Sequence, residues 1–345
     1  MSKQIRVGRV AVGGGAPVSI QSMCNTATQN VDATVGQILR LEEAGCEIIR
    51  VAVPDMDAAR AVGEIRKRIH IPLVCDIHFD YKLALACVEQ GADKIRINPG
   101  NIGSQDRVRA VADACRERGI PIRIGVNGGS LEKDLLAKYG GVTAQALVES
   151  ALGHVRLLND CNFDDICISV KCSHVPVNMQ AYRMLREQTD YPLHLGVTEA
   201  GTPAMGVLKS AMGIGGLLCL GIGDTVRVSL TADPAEEVRA AKQILSAAGV
   251  RRFGPNLISC PTCGRTKYDM IPIAREVERR REGCRKNITV AVMGCVVNGP
   301  GEAAAADVGI AGGNGEGLVF RRGEILYKVP EDQLVDALMD EIEKL

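Results

Sequence analysis

Two short stretches near the C-terminus carry residue types that could do redox chemistry. They are Cys260-Pro-Thr-Cys263 and, after a helix-length spacer, Gly294-Cys295-Val-Val-Asn-Gly-Pro-Gly-Glu302. The first sets two thiolates one tight turn apart, close enough to share a metal centre. The second brings a third thiolate on a Gly/Pro-rich loop whose backbone can approach a bulky inorganic group, because glycine has no Cβ. Three soft sulfur ligands without an obvious fourth thiol, and a carboxylate, Glu302, seven residues past the last, point to an iron–sulfur cluster with one unusual corner. A redox reaction follows from that.

Zinc is the competing metal. A C-x-x-C pair is shared by zinc ribbons, thioredoxin-like sites and cluster sites. No βαβ pattern is expected immediately around Cys260, which speaks against the thioredoxin-like case. A structural zinc could take Cys260, Cys263, Cys284 and Cys295 as four thiolates. Against it, Cys284 lies in Arg281-Glu-Gly-Cys-Arg-Lys286, a charged helix end typical of exposed surface. Zinc also needs no Gly-Pro-Gly loop beside a ligand, whereas the sulfides of a cuboidal cluster accept backbone N–H bonds.

A second set of polar residues falls where predicted strands end. The alternation of β-rich and amphipathic runs predicts strands over 17–23, 47–53, 73–77, 94–98, 121–126, 165–171, 193–197 and 225–230. Helices are predicted over 32–44, 55–68, 81–90, 105–118, 144–159, 177–188, 202–218 and 234–248. Asp32, Ser104 and Asp233 are the expected N-caps, and Gly45, Gly91, Gly119 and Gly249 the expected stops. Eight strands alternating with eight helices is the arithmetic of a (β/α)8 TIM barrel. A doubly wound sheet would show a phosphate-cradling G-x-G-x-x-G after its first strand, and Gln21-Ser-Met-Cys24 offers none. Gly13-Gly-Gly15 reads as a turn. The barrel is assigned to 1–248, a linker to 249–259, and a smaller α+β domain to 260–345. In that second domain a helix is expected over 270–282, strands over 288–292, 308–311, 317–320 and 325–328, and a final helix from Pro330.

In a barrel, chemistry sits at the C-terminal ends of the strands. There the chain places Arg50, Asp76, His78, Arg96, Asn98, Arg123, Asn127, Lys171, Glu199 and Ser229. Four cations on four strands repel one another unless something anionic lies among them. Internal ion pairs with Asp76 and Glu199 could explain each cation singly. Four cations against two carboxylates favour a phosphorylated substrate, since arginine suits bidentate phosphate oxygens. His194 lies within its strand and carries little weight.

Composition narrows the partners. Formal charge is zero over 345 residues, so bulk electrostatics give no case for nucleic acid or an anionic membrane. With no Trp, four Phe and six Tyr, aromatic stacking platforms are not available for single strands. No apolar run reaches membrane-spanning length, and no secretory leader is expected, since residues 1–12 are basic with isolated apolar residues. Thirteen cysteines are an odd number. Cys46, Cys75, Cys87, Cys115, Cys161, Cys167 and Cys219 read as small buried hydrophobes in a reducing cytoplasm.

Taken together, S-C-P-T-C-G-R-T and V-M-G-C-V-V-N-G-P-G-E-A resemble the bacterial, two-domain form of the 4-hydroxy-3-methylbut-2-enyl diphosphate synthase family. The likeness runs along nearly the whole chain, through P-V-S-I-Q-S-M, I-I-R-V-A-V-P, D-I-H-F-D, K-I-R-I-N-P-G-N-I-G, R-I-G-V-N-G-G-S-L and H-L-G-V-T-E-A-G. The resemblance implies one [4Fe-4S] cluster per chain, held by Cys260, Cys263, Cys295 and Glu302. It implies 2-C-methyl-D-erythritol 2,4-cyclodiphosphate as substrate, gripped by Arg50, Arg96, Arg123 and Lys171, with Asn127 and Ser229 adding neutral hydrogen bonds. Glu199 is then the candidate acid or hydroxyl-orienting group, with Asp76 and His78 secondary candidates, and flavodoxin or ferredoxin the electron donor. The rival reading is a phosphate-substrate barrel lyase or transferase with a structural zinc domain; a metal-responsive binding module is the rival outside the enzymes.

The topology also predicts a homodimer. The eighth helix of a barrel ends at the face opposite the active site. An eleven-residue linker spans at most about 36–40 Å, barely the height of a barrel. The cluster of one chain is therefore expected over the barrel of its partner, head to tail.

Overall fold

The computed structural model describes residues 1–266, 268–295 and 303–345. They form two compact units, Met1–Arg251 and Arg252–Leu345. The first unit opens with an antiparallel hairpin, β1 (Gln4–Val7) and β2 (Val10–Gly13), turned at Gly8 with φ +53°. Its apolar face, Ile5, Val7 and Val12, packs on Ile48, Val74 and Cys167 at the amino ends of barrel strands and seals that end. The sequence reading saw only scattered apolar residues here. Alternation over four residues either side of Gly8-Arg9 was the available signal.

Eight parallel strands follow: β3 (Ser19–Met23), β4 (Ile48–Ala52), β5 (Leu73–Asp76), β6 (Lys94–Ile97), β7 (Ile122–Asn127), β8 (Ile166–Lys171), β9 (His194–Leu195) and β10 (Thr225–Val226). They are ordered β8-β7-β6-β5-β4-β3-β10-β9. A parallel bridge between Ile168 and Leu193 closes the ring, with the Ile168 N–H donating to the Pro192 carbonyl at 2.9 Å. This is the (β/α)8 barrel that the alternation predicts.

Helix ends obey local chemistry. Asp55 and Asp233 cap their helices by accepting the Ala58 and Ala235 N–H groups. Gly45 and Gly119 end theirs in the left-handed region. The expected cap at Asp32 is corrected to Asn30, whose side chain accepts from the Ala33 N–H. The single helix expected over 202–218 is broken into Pro203–Ser210, a π turn at Ala211–Gly215, and Gly216–Cys219. Cys219 at its end is exposed, against expectation, while the other six of that set are buried.

The second unit is a five-stranded sheet, β11 (Asn256–Ser259), β12 (Thr289–Met293), β13 (Val308–Gly312), β14 (Glu316–Arg321) and β15 (Glu324–Pro330), in that order. The first three run parallel and the last two antiparallel. Helices Met270–Arg280 and Leu334–Glu343 supply Val277, Leu334, Leu338 and Ile342 to a core with Val290, Val292, Ile310 and Val319. Two expectations are corrected here. Residues 256–259 are a strand and not linker, so Cys260 directly follows the first strand of a parallel βαβ unit. That strand is short, follows Gly-Pro and is largely exposed, so it carried no alternation to read. Pro330 closes β15; the last helix begins after a 3-10 turn at Glu331–Gln333. Among the described residues no helix is long and apolar enough to cross a membrane.

Candidate active site

The barrel's carboxyl end gathers the predicted cations around Asp76. In strand register Arg96 stands beside Asp76 on one side and Arg123 on the other. Arg96 Nη1 donates to Asp76 Oδ1 at 2.9 Å, and Arg50 Nε lies 3.7 Å from Asp76 Oδ2. Burial pushes the Asp76 carboxyl up, yet Arg50, Arg96 and Arg123 outweigh it and hold the group down at about 2. Asp76 is therefore an anion at neutral pH. Arg50 also points Nε and Nη2 at the Met23 sulfur, 3.1 and 2.8 Å away.

The remaining cations are not neutralised. Arg123 donates from Nη1 to Ser169 Oγ at 2.7 Å, while its Nε and Nη2 are buried without partners among the described residues. Burial, then Arg96, pulls its pKa down to about 10. Burial, then Arg123 and Arg50, pulls Lys171 well below its ordinary value. Among the described residues neither Arg123 nor Lys171 pairs with a carboxylate. Ion pairing with Asp76 thus explains Arg50 and Arg96 and leaves an unneutralised excess, which is the electrostatic signature of an anion site.

Two glycines make this crowding possible. A Cβ on Gly125 would lie 2.3 Å from Arg96 Nε, and one on Gly196 would lie 2.6 Å from Lys171 Nζ. Gly125 also fixes Arg96 directly, since its carbonyl accepts from Nη2 at 2.6 Å while its N–H donates to Asn98 Oδ1 at 3.0 Å.

The other expected residues sit around this ring. Asn127 ends β7, half-buried and level with Lys171 in register. Ser229 is half-buried beyond β10. His78 Nε2 is 3.9 Å from Asp76 Oδ1 with its side chain largely exposed. Glu199 is exposed beyond β9 and adopts φ +52°, a left-handed conformation uncommon outside glycine. Among the described residues it forms no ion pair with the cations.

Sequence reading missed two residues of this interior, Arg227 and Lys94, and gave too little weight to a third, His194. Arg227 faces the ring, with Nη2 3.4 Å from Glu237, and helps to depress Arg50 and Lys171. Lys94 is fully buried one inward position below Arg96; burial brings it down to about 8, and Nζ is 3.5 Å from Gln21 Oε1. His194 is fully buried with neither ring nitrogen partnered among the described residues. Strand alternation was the signal for the first two, since Arg227 and Ser229, like Lys94 and Arg96, are two residues apart.

In the second unit, Cys260 and Cys295 follow the carboxyl ends of neighbouring parallel strands, β11 and β12. Cys260 Sγ accepts the Gly294 N–H at 3.0 Å. A Cβ on Gly294 would lie 3.3 Å from that sulfur and 2.9 Å from Thr266 Oγ1, so glycine is what lets backbone N–H reach thiolate. Thr266 Oγ1 accepts the Cys263 N–H at 3.2 Å, and hydrogen bonds from Arg265 hold the exposed Cys263 thiol below its ordinary pKa. This donor chemistry, thiolates on glycine-bearing loops with N–H groups aimed at sulfur, fits an iron–sulfur cluster. Glu302 lies outside the described residues. Among those that are described, no three His, Cys, Asp or Glu side chains are gathered closely enough to hold a metal ion. Cys284 is half-buried against the core cluster instead of surface-exposed as expected.

The family model described as the GcpE TIM-barrel domain matches residues 2–242, and the one described as the GcpE protein C-terminal domain matches residues 256–344. The chain belongs to the GcpE family. A 4-hydroxy-3-methylbut-2-en-1-yl diphosphate synthase (flavodoxin) of Caldanaerobacter subterraneus subsp. tengcongensis is 59% identical over 345 residues, covering 100% of this chain and 97% of that one. The protein of the same name from Geobacter sulfurreducens is 60% identical over 344 residues, covering 100% and 98%. Among solved structures, dihydropteroate synthase from Stenotrophomonas maltophilia superposes with a TM-score of 0.52 at 17% identity, covering 72% of this chain and 100% of that one. At that identity the likeness shows the barrel fold alone.

Proposed function

We propose that this GcpE-family chain catalyses the reductive ring opening and dehydration of 2-C-methyl-D-erythritol 2,4-cyclodiphosphate. The product is (E)-4-hydroxy-3-methylbut-2-enyl diphosphate, a precursor of isoprenoids, and flavodoxin is the electron donor, with ferredoxin the alternative. The observation that carries this reading is identity of 59% and 60% along the whole chain with synthases of that name. Two electrons and a proton enter, the ring's carbon–oxygen bond to phosphate opens, and a hydroxyl leaves as water.

Arg50, Arg96, Arg123 and Lys171 bind the diphosphate, and Asn127 and Ser229 add neutral hydrogen bonds. The support is the unneutralised charge at Arg123 and Lys171, with two guanidinium nitrogens of Arg123 lacking partners among the described residues. Asp76 works ionised, holding Arg50 and Arg96 in place. His78 flanks it at the exposed edge. Glu199, exposed beyond β9, is the acid or the hydroxyl-orienting group at the departing hydroxyl. When bound, a [4Fe-4S] cluster held by Cys260, Cys263, Cys295 and Glu302 supplies the electrons singly.

The chain works as a head-to-tail homodimer in the cytoplasm. Arg251 hydrogen-bonds the Val18 carbonyl at 2.7 Å and pairs with Glu47, both beside the amino ends of β3 and β4, and β11 opens only five residues later at Asn256. So short a connection supports serving a partner's barrel mouth in place of its own. The lyase or transferase reading with structural zinc is not favoured by relatives that share the whole chain and carry the synthase name.

The test is anaerobic. Protein reconstituted with iron and sulfide is incubated with the cyclodiphosphate and reduced flavodoxin, and phosphorus NMR follows the cyclic resonances. Their replacement by those of a linear diphosphate is expected. Iron-loaded protein that leaves the cyclic compound intact overturns the reading, as does protein that takes up zinc alone.

A further inference from the structure

We propose that His154, on the outer helix Ala144–Asn159, is a positioning residue that latches the turn Pro99–Ile102 and through it sets Arg96 in the cation ring. The link to Arg96 rests on the anion-binding reading given above; the latch itself does not.

His154 is buried on the inner side of its helix. Its Nδ1 accepts the Gly100 N–H at 3.1 Å, and its Nε2 lies 3.2 Å from Glu132 Oε1. An imidazole that accepts at Nδ1 carries its proton on Nε2, so the ring bridges a backbone donor on one loop and a carboxylate on the next. Glu132 is itself steadied by the Ser150 hydroxyl at 3.0 Å. The ring also occupies the space above Gly100, where a Cβ would come within 2.5 Å of His154 Cε1. No residue with a side chain could sit there without displacing the ring.

From Gly100 the path to the ring is unbroken. The Asn101 N–H donates to the Asn98 carbonyl at 2.9 Å and tightens the turn on Asn98. Asn98 Oδ1 accepts the Gly125 N–H at 3.0 Å, the Gly125 carbonyl accepts Arg96 Nη2 at 2.6 Å, and Arg96 Nη1 meets Asp76 at 2.9 Å. Like-charged guanidinium groups tend to splay, so a ring of them needs restraint from outside itself. The outer helix supplies that restraint at Arg96, whose site must be set before an anion arrives.

Two substitutions separate this role from packing. His154→Asn keeps an amide oxygen near the position of Nδ1, while His154→Ala leaves the Gly100 N–H with no acceptor. Both lose the ring and the Glu132 contact, so both lower the melting temperature alike. Hydrogen exchange at the Gly100 amide should quicken about tenfold or more in the alanine variant and stay within about threefold of wild type in the asparagine variant. Kd for the cyclodiphosphate, measured by calorimetry on anaerobic holoenzyme without reductant, should rise about tenfold with alanine and under about threefold with asparagine. Equal exchange in the two variants overturns the latch. Different exchange with equal Kd overturns its connection to Arg96. Wild-type holoenzyme that does not bind the cyclodiphosphate removes the reading of the mouth and the Arg96 connection with it, and exchange alone still decides the latch.

Discussion

Replacing Arg123 by methionine should stabilise the substrate-free barrel while removing its hold on an anion. The guanidinium is 1% exposed and makes one hydrogen bond, to Ser169, leaving Nε and Nη2 buried without partners among the described residues. The fall of its pKa to about 10, caused first by burial and then by Arg96, corresponds to roughly 3 kcal/mol held against the protonated form in the folded chain. The unfolded chain binds that proton more tightly, so stability climbs with pH only from about 10 upward, until the unfolded chain has released its proton too. At pH 7 both states are protonated and the whole penalty is in force. Methionine removes it, forfeits about 1 kcal/mol at the Ser169 bond, and fills much of the same volume.

The net expectation is a gain of about 1–2 kcal/mol, or about 3–6 °C in the barrel's melting transition for a unit of this size. Scanning calorimetry at pH 7 in anion-poor buffer measures it. Pyrophosphate should then raise the wild-type transition, by about 2.7 kcal/mol at one hundred times Kd, and leave the variant's nearly where it was. A variant that melts below wild type without anion, and still responds to pyrophosphate, would show that Arg123 is a satisfied structural group and refute the charge argument.

Gly213→Ala should lower kcat with little change in substrate Kd, because a Cβ there comes within 2.5 Å of Val197 Cγ2 and shifts the strand end that carries Glu199; unchanged kcat in steady-state assays removes Glu199 from the chemistry. Cys263→Ser should abolish the visible absorption of anaerobically reconstituted protein and Cys284→Ser should leave it intact, whereas a colourless wild type that loses bound zinc in both variants would point to the four-thiolate site. Asp76→Asn should cost roughly 2 kcal/mol at pH 7, matching a carboxyl held at about 2 instead of 3.8. That contribution is present above pH 3.8 and disappears as pH falls through about 2, so urea melts of wild type and variant should converge on acidification.

The barrel was legible because Ile- and Val-rich strands alternate with helices that stop at glycine; Gly45 and Gly119 end their helices where expected, in the left-handed region. The ring cations were legible one strand at a time, since Arg50, Arg96, Arg123 and Lys171 each interrupt an apolar run. What no single strand revealed was how the charges divide. Asp76 serves two arginines and Glu199 serves none of them, and that depends on register and on the αL backbone at Glu199. His154 was invisible for the same reason. It lies on an amphipathic helix, fifty-four residues from the Gly100 amide it holds, and only the fold brings the two together. In the second unit, β11 escaped notice because an exposed edge strand needs no alternation.

The ring's instability and its restraint belong to one design. A barrel interior normally fills with branched apolar layers. This one places Gln21, Lys94, Arg123, His194 and Thr225 among its buried residues, several with polar atoms that lack partners among the described residues. Such a core is disfavoured wherever the shell can relax, because each cation would turn outward toward water. The glycines prevent one escape by letting Arg96 and Lys171 lie flat against backbone, and the Asn98–Gly125 bond prevents another by fixing the strand that Arg96 leans on. Charge is thereby held at a place where solvent compensates it poorly. A doubly charged ligand entering that place recovers the penalty already present in the free protein, so its affinity comes from relief of repulsion as much as from new hydrogen bonds. It follows that adding a carboxylate near Lys171 should weaken diphosphate binding by raising the stability of the free state, even where the carboxylate never touches the ligand.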